Sequence, residues 1–288
     1  MTARSEAPAS FRSSSVRPGP LELIQIGARD VLSRRRLIAY LVRADLKKRG
    51  SDTLLGNVWW VLDPLLQMLV YVVLVGVILQ RGGQDFPLFI LCAVLPWKWF
   101  QATVGEGLSS VVGMERLIKQ INFPKLVLPV SAVMAGVVSF AFGLIPLFAI
   151  TLLVYPHHAS AWMLLLPVVA LVQLVFSLAV ATALSAINVF YRDVGNLARH
   201  LLRFWFYLSP ALYGMDLVAK MAEKYPAVNT WFALNPWTTL FNGYRDLVYE
   251  GRSPDWSGLL VLGLVSLLLL ALATWLFKRV EPMFAKVL

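Results

Sequence analysis

Residues 161–190, AWMLLLPVVALVQLVFSLAVATALSAINVF, run for thirty positions without one charged side chain. About twenty apolar residues, each rising about 1.5 Å, cross the roughly 30 Å hydrocarbon core of a bilayer as a helix. No polar face is left for water along this stretch, so it reads as a membrane span rather than a surface helix. Five more apolar runs lie at about 58–80, 86–111, 126–155, 198–214 and 257–277. Across the 288 residues, 58% are hydrophobic and 15% charged, with a mean hydropathy of +0.69. Soluble domains carry about 25% charged residues. The fold class expected is all-α integral membrane, with six transmembrane helices.

The flanks of the runs set the rest of the organisation. Residues 1–20 are rich in Ser, Pro and Arg, and are expected to form a disordered cytoplasmic tail. No apolar signal-peptide core occurs in the first thirty residues, so the N-terminus is expected to stay in the cytoplasm. Residues 21–57 read as a basic amphipathic helix in the membrane interface, with a connector. There Leu23, Ile24, Val31, Leu32, Ile38, Leu41, Val42 and Leu46 alternate with Arg34, Arg35, Arg36, Arg43, Lys47, Lys48 and Arg49. Residues 58–288 form the transmembrane domain. With the N-terminus inside, twenty of the 26 Lys and Arg residues fall on the cytoplasmic side and five outside, which obeys the positive-inside bias and returns the C-terminus to the cytoplasm. Eleven of the basic residues precede Asn57, so the net charge of +10 points to anionic lipid headgroups, not nucleic acid. Between the last two runs, Met215–Tyr225 and Trp231–Tyr249 are too short to cross, and predict two helices re-entering from the outer side.

Chemistry is sparse. No G-x-x-x-x-G-K-[ST] phosphate loop occurs, so the chain is not expected to bind ATP in the usual way. His157, His158 and His200 are too few for a metal set, and adjacent histidines are expected to point apart, so no metal or catalytic site is predicted. Cys92 lies inside an apolar run and reads as a packing residue. Ionisable residues within spans mark functional positions or else snorkelling or paired structural charges, and here they are Asp63, Lys98 and Glu106, the last two able to face a polar lumen. Pro96 is expected to divide the second span. Ser177, Ala181 and Ser185, four apart, predict close helix packing. Most of the ten Trp, nine Tyr and sixteen Phe suit interfacial belts. Tyr71, Trp97, Trp99, Phe100, Tyr207 and Tyr213 are candidates for a conduit wall, where flat rings offer a polymer weak, repeated contacts.

An ordered set of strings runs through residues 35–286: LIAYLVRADLK (37–47), LGNVWW (55–60) with Asp63-Pro64, LPWKWF (95–100), IKQINFPK (118–125), YRD (191–193), SPALY (209–213) and NPW (235–237). In this order the chain resembles the membrane subunit of ABC-2 type exporters of polysaccharides: the O-antigen, galactan, capsule and teichoic-acid permeases. The resemblance implies a homodimer forming one channel in the cell inner membrane. It further implies two copies of a separate ATPase that bind the ATP and Mg, and a lipid-linked glycan as cargo. The charged segment Met114–Pro124 then suits a helix that docks on the ATPase through Glu115, Arg116, Lys119 and Gln120. The alternative from the same class is an ABC-2 exporter of a small lipid or drug. An integral-membrane transferase would show Asp, Glu and His clusters on loops, and an ion-coupled carrier an internal repeat.

Overall fold

Helices start and stop where apolar runs meet charge or proline. The computed structural model describes residues 18–50, 54–80, 83 and 85–288, so the tail expected at 1–20 lies outside the described residues up to position 17. In chain order come α1 (Pro20–Ser33), α2 (Arg35–Gly50), α3 (Trp59–Tyr71, continued by a π-helical stretch, Val72–Ile78) and α4 (Phe86–Ser110). They are followed by α5 (Glu115–Gln120), α6 (Val127–Leu153) and α7 (Leu166–Phe190, led in by a 3-10 turn at Ala161–Leu165). The chain ends with α8 (Val194–Tyr207), α9 (Met215–Lys224), α10 (Pro226–Leu234), α11 (Pro236–Val248), α12 (Trp256–Val280) and α13 (Phe284–Val287).

Among the described residues, five helical stretches are long and apolar enough to cross a membrane: Trp59–Ile78, Phe86–Ser110, Val127–Leu153, Ala161–Phe190 and Trp256–Val287. The run at 198–214 departs from expectation. Its helix, α8, has 14 residues and stops at Tyr207, and Leu208–Gly214 turns instead. That length reaches about 21 Å. Pro210 has no N–H to continue the ladder, and the Ser209 carbonyl is taken by Ala211 N at 2.7 Å. The outer segment also differs, forming three short helices rather than two. Pro226 and Pro236 each open a new helix, and the Asn235 side chain caps α11 by accepting from Trp237 N.

The core is centred on α4, the most enclosed of the long helices. It packs on α6 and α7, and α7 packs in turn on α12. Pro96 does not break α4. Gln173 of α7 donates to the Pro96 carbonyl at 2.8 Å, and Tyr244 of α11 donates to Gln173 Oε1 at 2.9 Å, so three helices meet at the proline through satisfied buried polar groups. Ser177, Ala181 and Ser185 are all buried on α7. A Cβ added at Gly107 of α4 would lie 2.7 Å from Ala181 Cβ, which sets how closely these two helices approach. Gly107→Val is expected to cost about 1–3 kcal/mol by overpacking. A lower melting temperature of the detergent-solubilised protein checks this, and an unchanged one contradicts the crossing.

One face of the bundle carries α1, α2, α5 and the C-terminus. Lys278 donates to Asp30 at 2.7 Å and to Glu281 at 2.5 Å, while Lys125 N donates to Glu281 Oε1 at 2.5 Å. Leu37, Ile38 and Leu41 pack on the cluster built by Val127, Phe277 and Phe284, so part of the apolar side of α2 faces protein. The guanidinium-bearing residues Arg34, Arg35, Arg36 and Arg43 stay exposed. At the opposite face, His158 reaches the Tyr249 carbonyl at the end of α11. Because α8 starts beside Gly195–Leu108 at the first face and α11 ends at the second, the segment α8–α11 carries the chain through the bundle as a composite. Trp205 and Ser209 of the α8 end hydrogen-bond Asn235 at 3.0 and 2.8 Å, joining the two short pieces in mid-path.

Candidate functional site

Asp63, Gln67 and Tyr71 are four apart on α3 and therefore share one face. That face meets Lys98 and Gln101 of α4 and Arg203 and Tyr207 of α8 around a cavity of about 520 Å³. Lys98 Nζ donates to Asp63 Oδ2 at 2.5 Å, and Gln67 Nε2 donates to the Tyr71 hydroxyl at 3.0 Å. A second cavity, of about 260 Å³, is lined by Arg49, Trp59, Trp60, Trp99 and Phe140 among others, and Asp63 and Lys98 border it as well. The ion pair is thus a shared wall between two hollows. Its side chains are 55% and 27% exposed, which charge inside a span tolerates only beside water or a polar lumen.

Glu106 is arranged differently. Its carboxylate receives Arg49 of α2, which also donates from Nε to Asp45 at 2.9 Å. Of its two readings from sequence, Glu106 takes the form of a paired charge, in a clamp that fastens α2 to α4. Arg49, read from sequence only as part of the basic helix, is the partner that sequence does not reveal, since nothing local marks a contact 57 residues away.

The six conduit candidates separate. Tyr71, Trp97 and Tyr207 border the larger cavity and Trp99 the smaller. Trp99 stacks on Phe140 with ring centroids 4.3 Å apart. Trp97 is almost wholly enclosed, packed against Trp237 at 4.7 Å and Phe206 at 5.3 Å. Phe100 is fully enclosed between Phe176 and Trp237, and Tyr213 lies beyond α8 beside Phe232; neither borders these two cavities.

The short helix α5 stands at the first face. Ile118 turns inward with Phe284 and Val127, while Arg116, Lys119 and Gln120 are exposed. Lys119 donates to Glu115 at 2.6 Å, and this hydrogen bond holds the Glu115 carboxyl below its ordinary range. One apolar residue anchors the helix, and its charged side is presented outward.

Arg245, on α11, is one of the five basic residues that the sequence places on the outer side. It is 4% exposed and makes no ion pair among the described residues. Its two terminal nitrogens donate to the Pro210 and Ala211 carbonyls at 2.5 Å each, and its guanidinium lies 3.6 Å from the Phe89 ring centre. It pins the turn after α8 onto α11. Arg245→Met is expected to leave two buried carbonyls unpaired and cost about 2–6 kcal/mol, at about 1–3 for each. Arg245→Lys, with no fork to span both carbonyls, should fall between. Thermal melts of the purified variants check the order.

At the opposite face, His157 and His158 do not point apart. The turn at Pro156–His158 brings Nε2 of both to Asp85 Oδ2, at 3.1 and 3.0 Å, with ring centroids 4.3 Å apart.

Two adjoining hollows thus share the Asp63–Lys98 pair, and α5 presents its charged side at one face. The family profile described as "ABC-2 type transporter" matches residues 36–249, from α2 to the end of α11. The chain belongs to the ABC-2 type transporter family. Among proteins similar to this family member is the "O-antigen export system permease protein RfbA" of Myxococcus xanthus. It is 36% identical over 258 residues, covering 90% of this chain and 97% of the relative. The protein of the same name from Klebsiella pneumoniae is 27% identical over 253 residues, covering 88% of this chain and 95% of its own. An ABC-2 membrane domain is a transport subunit, and its polar wall and projecting α5 lie inside the matched region.

Proposed function

We propose that this chain is the permease subunit of an ATP-driven exporter that moves a lipid-linked polysaccharide of O-antigen type outward across the plasma membrane. The observation that carries this is the polar and aromatic wall of Asp63, Gln67, Tyr71, Lys98, Trp99 and Tyr207 around two adjoining cavities inside an ABC-2 domain. The names borne by relatives over nearly the full length support the cargo class. Tyrosine and tryptophan faces suit sugar rings, and hydroxyl and amide groups exchange hydrogen bonds with a sliding glycan at small net cost.

In this reading the face with α1, α2 and α5 is cytoplasmic, with both termini there, and exposed Arg34–Arg36 and Arg43 rest on anionic headgroups. The path makes six crossings, the fifth completed by α8 with α9–α11 dipping in from outside. Two copies of the chain close one channel, and α3, largely uncovered in the protomer, supplies the contact. Two ATPase subunits bind the ATP and Mg and grip α5. Deleting the chain from its host should abolish the surface polysaccharide and leave lipid-linked glycan accumulating on the inner side. A normal surface polysaccharide in the deletion strain would refute the assignment.

A further inference from the structure

Asp85 precedes α4, His157 and His158 lie in the turn after α6, and Tyr249 ends α11, so one cluster joins three distant segments at the face opposite α5. His158 Nδ1 is 2.5 Å from the Tyr249 carbonyl oxygen, which can only accept, so Nδ1 carries the hydrogen. In the neutral ring Nε2 then presents a lone pair to Asp85 Oδ2 at 3.0 Å. Two acceptors at that distance require a positive species between them. His157 Nε2 repeats the contact at 3.1 Å, and the three donor atoms all lie within 4.8 Å of one another.

The two imidazole-to-carboxylate spacings, 3.1 and 3.0 Å, fit a shared metal ion. Zinc bonds of about 2.0–2.1 Å in a tetrahedron place neighbouring donors about 3.3 Å apart. A metal-bound histidine whose other nitrogen donates to a backbone carbonyl is the usual orienting arrangement. Tyr249 stacks on His158 with centroids 4.7 Å apart, and Tyr155 stands edge-on to both imidazoles at 6.2 and 6.3 Å, so the rings are held from two sides. His157 is 61% exposed, which leaves water access to a fourth position. Two imidazoles and one carboxylate form a donor set of borderline softness that suits zinc better than calcium or magnesium.

We propose that Asp85, His157 and His158 bind one divalent cation of the zinc class, tying the start of α4, the α6–α7 turn and the end of α11 together at the outer mouth. The site is independent of the cargo assignment above. The test uses the full chain, purified without a polyhistidine tag and stripped of metal, titrated with zinc by calorimetry at neutral pH. One zinc per protomer and a zinc-dependent rise in melting temperature are expected. Asp85→Asn keeps the side-chain shape, and His157→Ala removes an exposed ring. Each should weaken zinc binding more than about tenfold, since losing even a residue that only orients a ligand costs about 10–100-fold. Cobalt in place of zinc should give the intense visible bands of a tetrahedral centre, lost in both variants. No zinc binding by the wild-type chain, or equal binding by the variants, overturns the proposal. So does a melting temperature that follows pH but ignores zinc, because a proton alone would then hold the cluster.

Discussion

Arg116→Glu combined with Lys119→Glu is expected to reduce ATP hydrolysis by the assembled transporter to the rate of its ATPase alone, with membrane insertion unchanged. Both side chains are exposed on α5, and neither belongs to the packed cluster that anchors the helix through Ile118. The fold therefore has no reason to fail. Reversal puts three carboxylates on a six-residue helix, because Glu115 loses the Lys119 ammonium that pairs with it at 2.6 Å. Like charges within one turn repel, and a partner groove complementary to the native pattern rejects them. The measurement is permease-stimulated phosphate release in reconstituted vesicles. Stimulation equal to wild type would remove α5 from the coupling path.

The second large effect is expected at Lys98. Lys98→Met leaves Asp63 without its partner on the wall shared by both cavities. The wall then carries a net negative charge where the native pair is neutral; a hydrogen bond to a charged group is worth about 1.5–3 kcal/mol, and each 1.4 kcal/mol is about tenfold in an equilibrium. Export, read as surface polysaccharide per cell, should fall at least about tenfold. The exchanged pair, Asp63→Lys with Lys98→Asp, should recover most of it, since the salt bridge can re-form in reverse. Full export by Lys98→Met would show that the pair does not wall the path.

How much of this was readable beforehand follows from what local sequence encodes. Run length and charge placed the first four long helices and the last within a few residues, because bilayer thickness acts on each run separately. The same rule failed at 198–214, where Ser209 and Pro210 interrupt an apolar run and Arg245, 35 residues from Pro210, takes the Pro210 and Ala211 carbonyls. Pro96 misled in the opposite sense: the expected break is absent where Gln173 from another helix joins it. The stripe of Asp63, Gln67 and Tyr71 was visible as a period of four, yet only Asp63 and Tyr71 were singled out. Aromatic identity alone could not separate Trp99, which borders a cavity, from Phe100, one residue on and wholly enclosed, because adjacent helical positions face about 100° apart. Partners distant in sequence, such as Arg49 with Glu106 and Arg245 with Pro210, have no signature before the helices are assembled.

The central claim is that this chain forms the passage while another subunit supplies the power. The most direct measurement places the purified permease and its ATPase in vesicles loaded on one leaflet with lipid-linked glycan, and follows arrival on the other by lectin accessibility. Movement is expected only with the permease, the ATPase and hydrolysable ATP together, and slower with Lys98→Met. Glycan that crosses at the same rate without ATP, or with the permease left out, would contradict it.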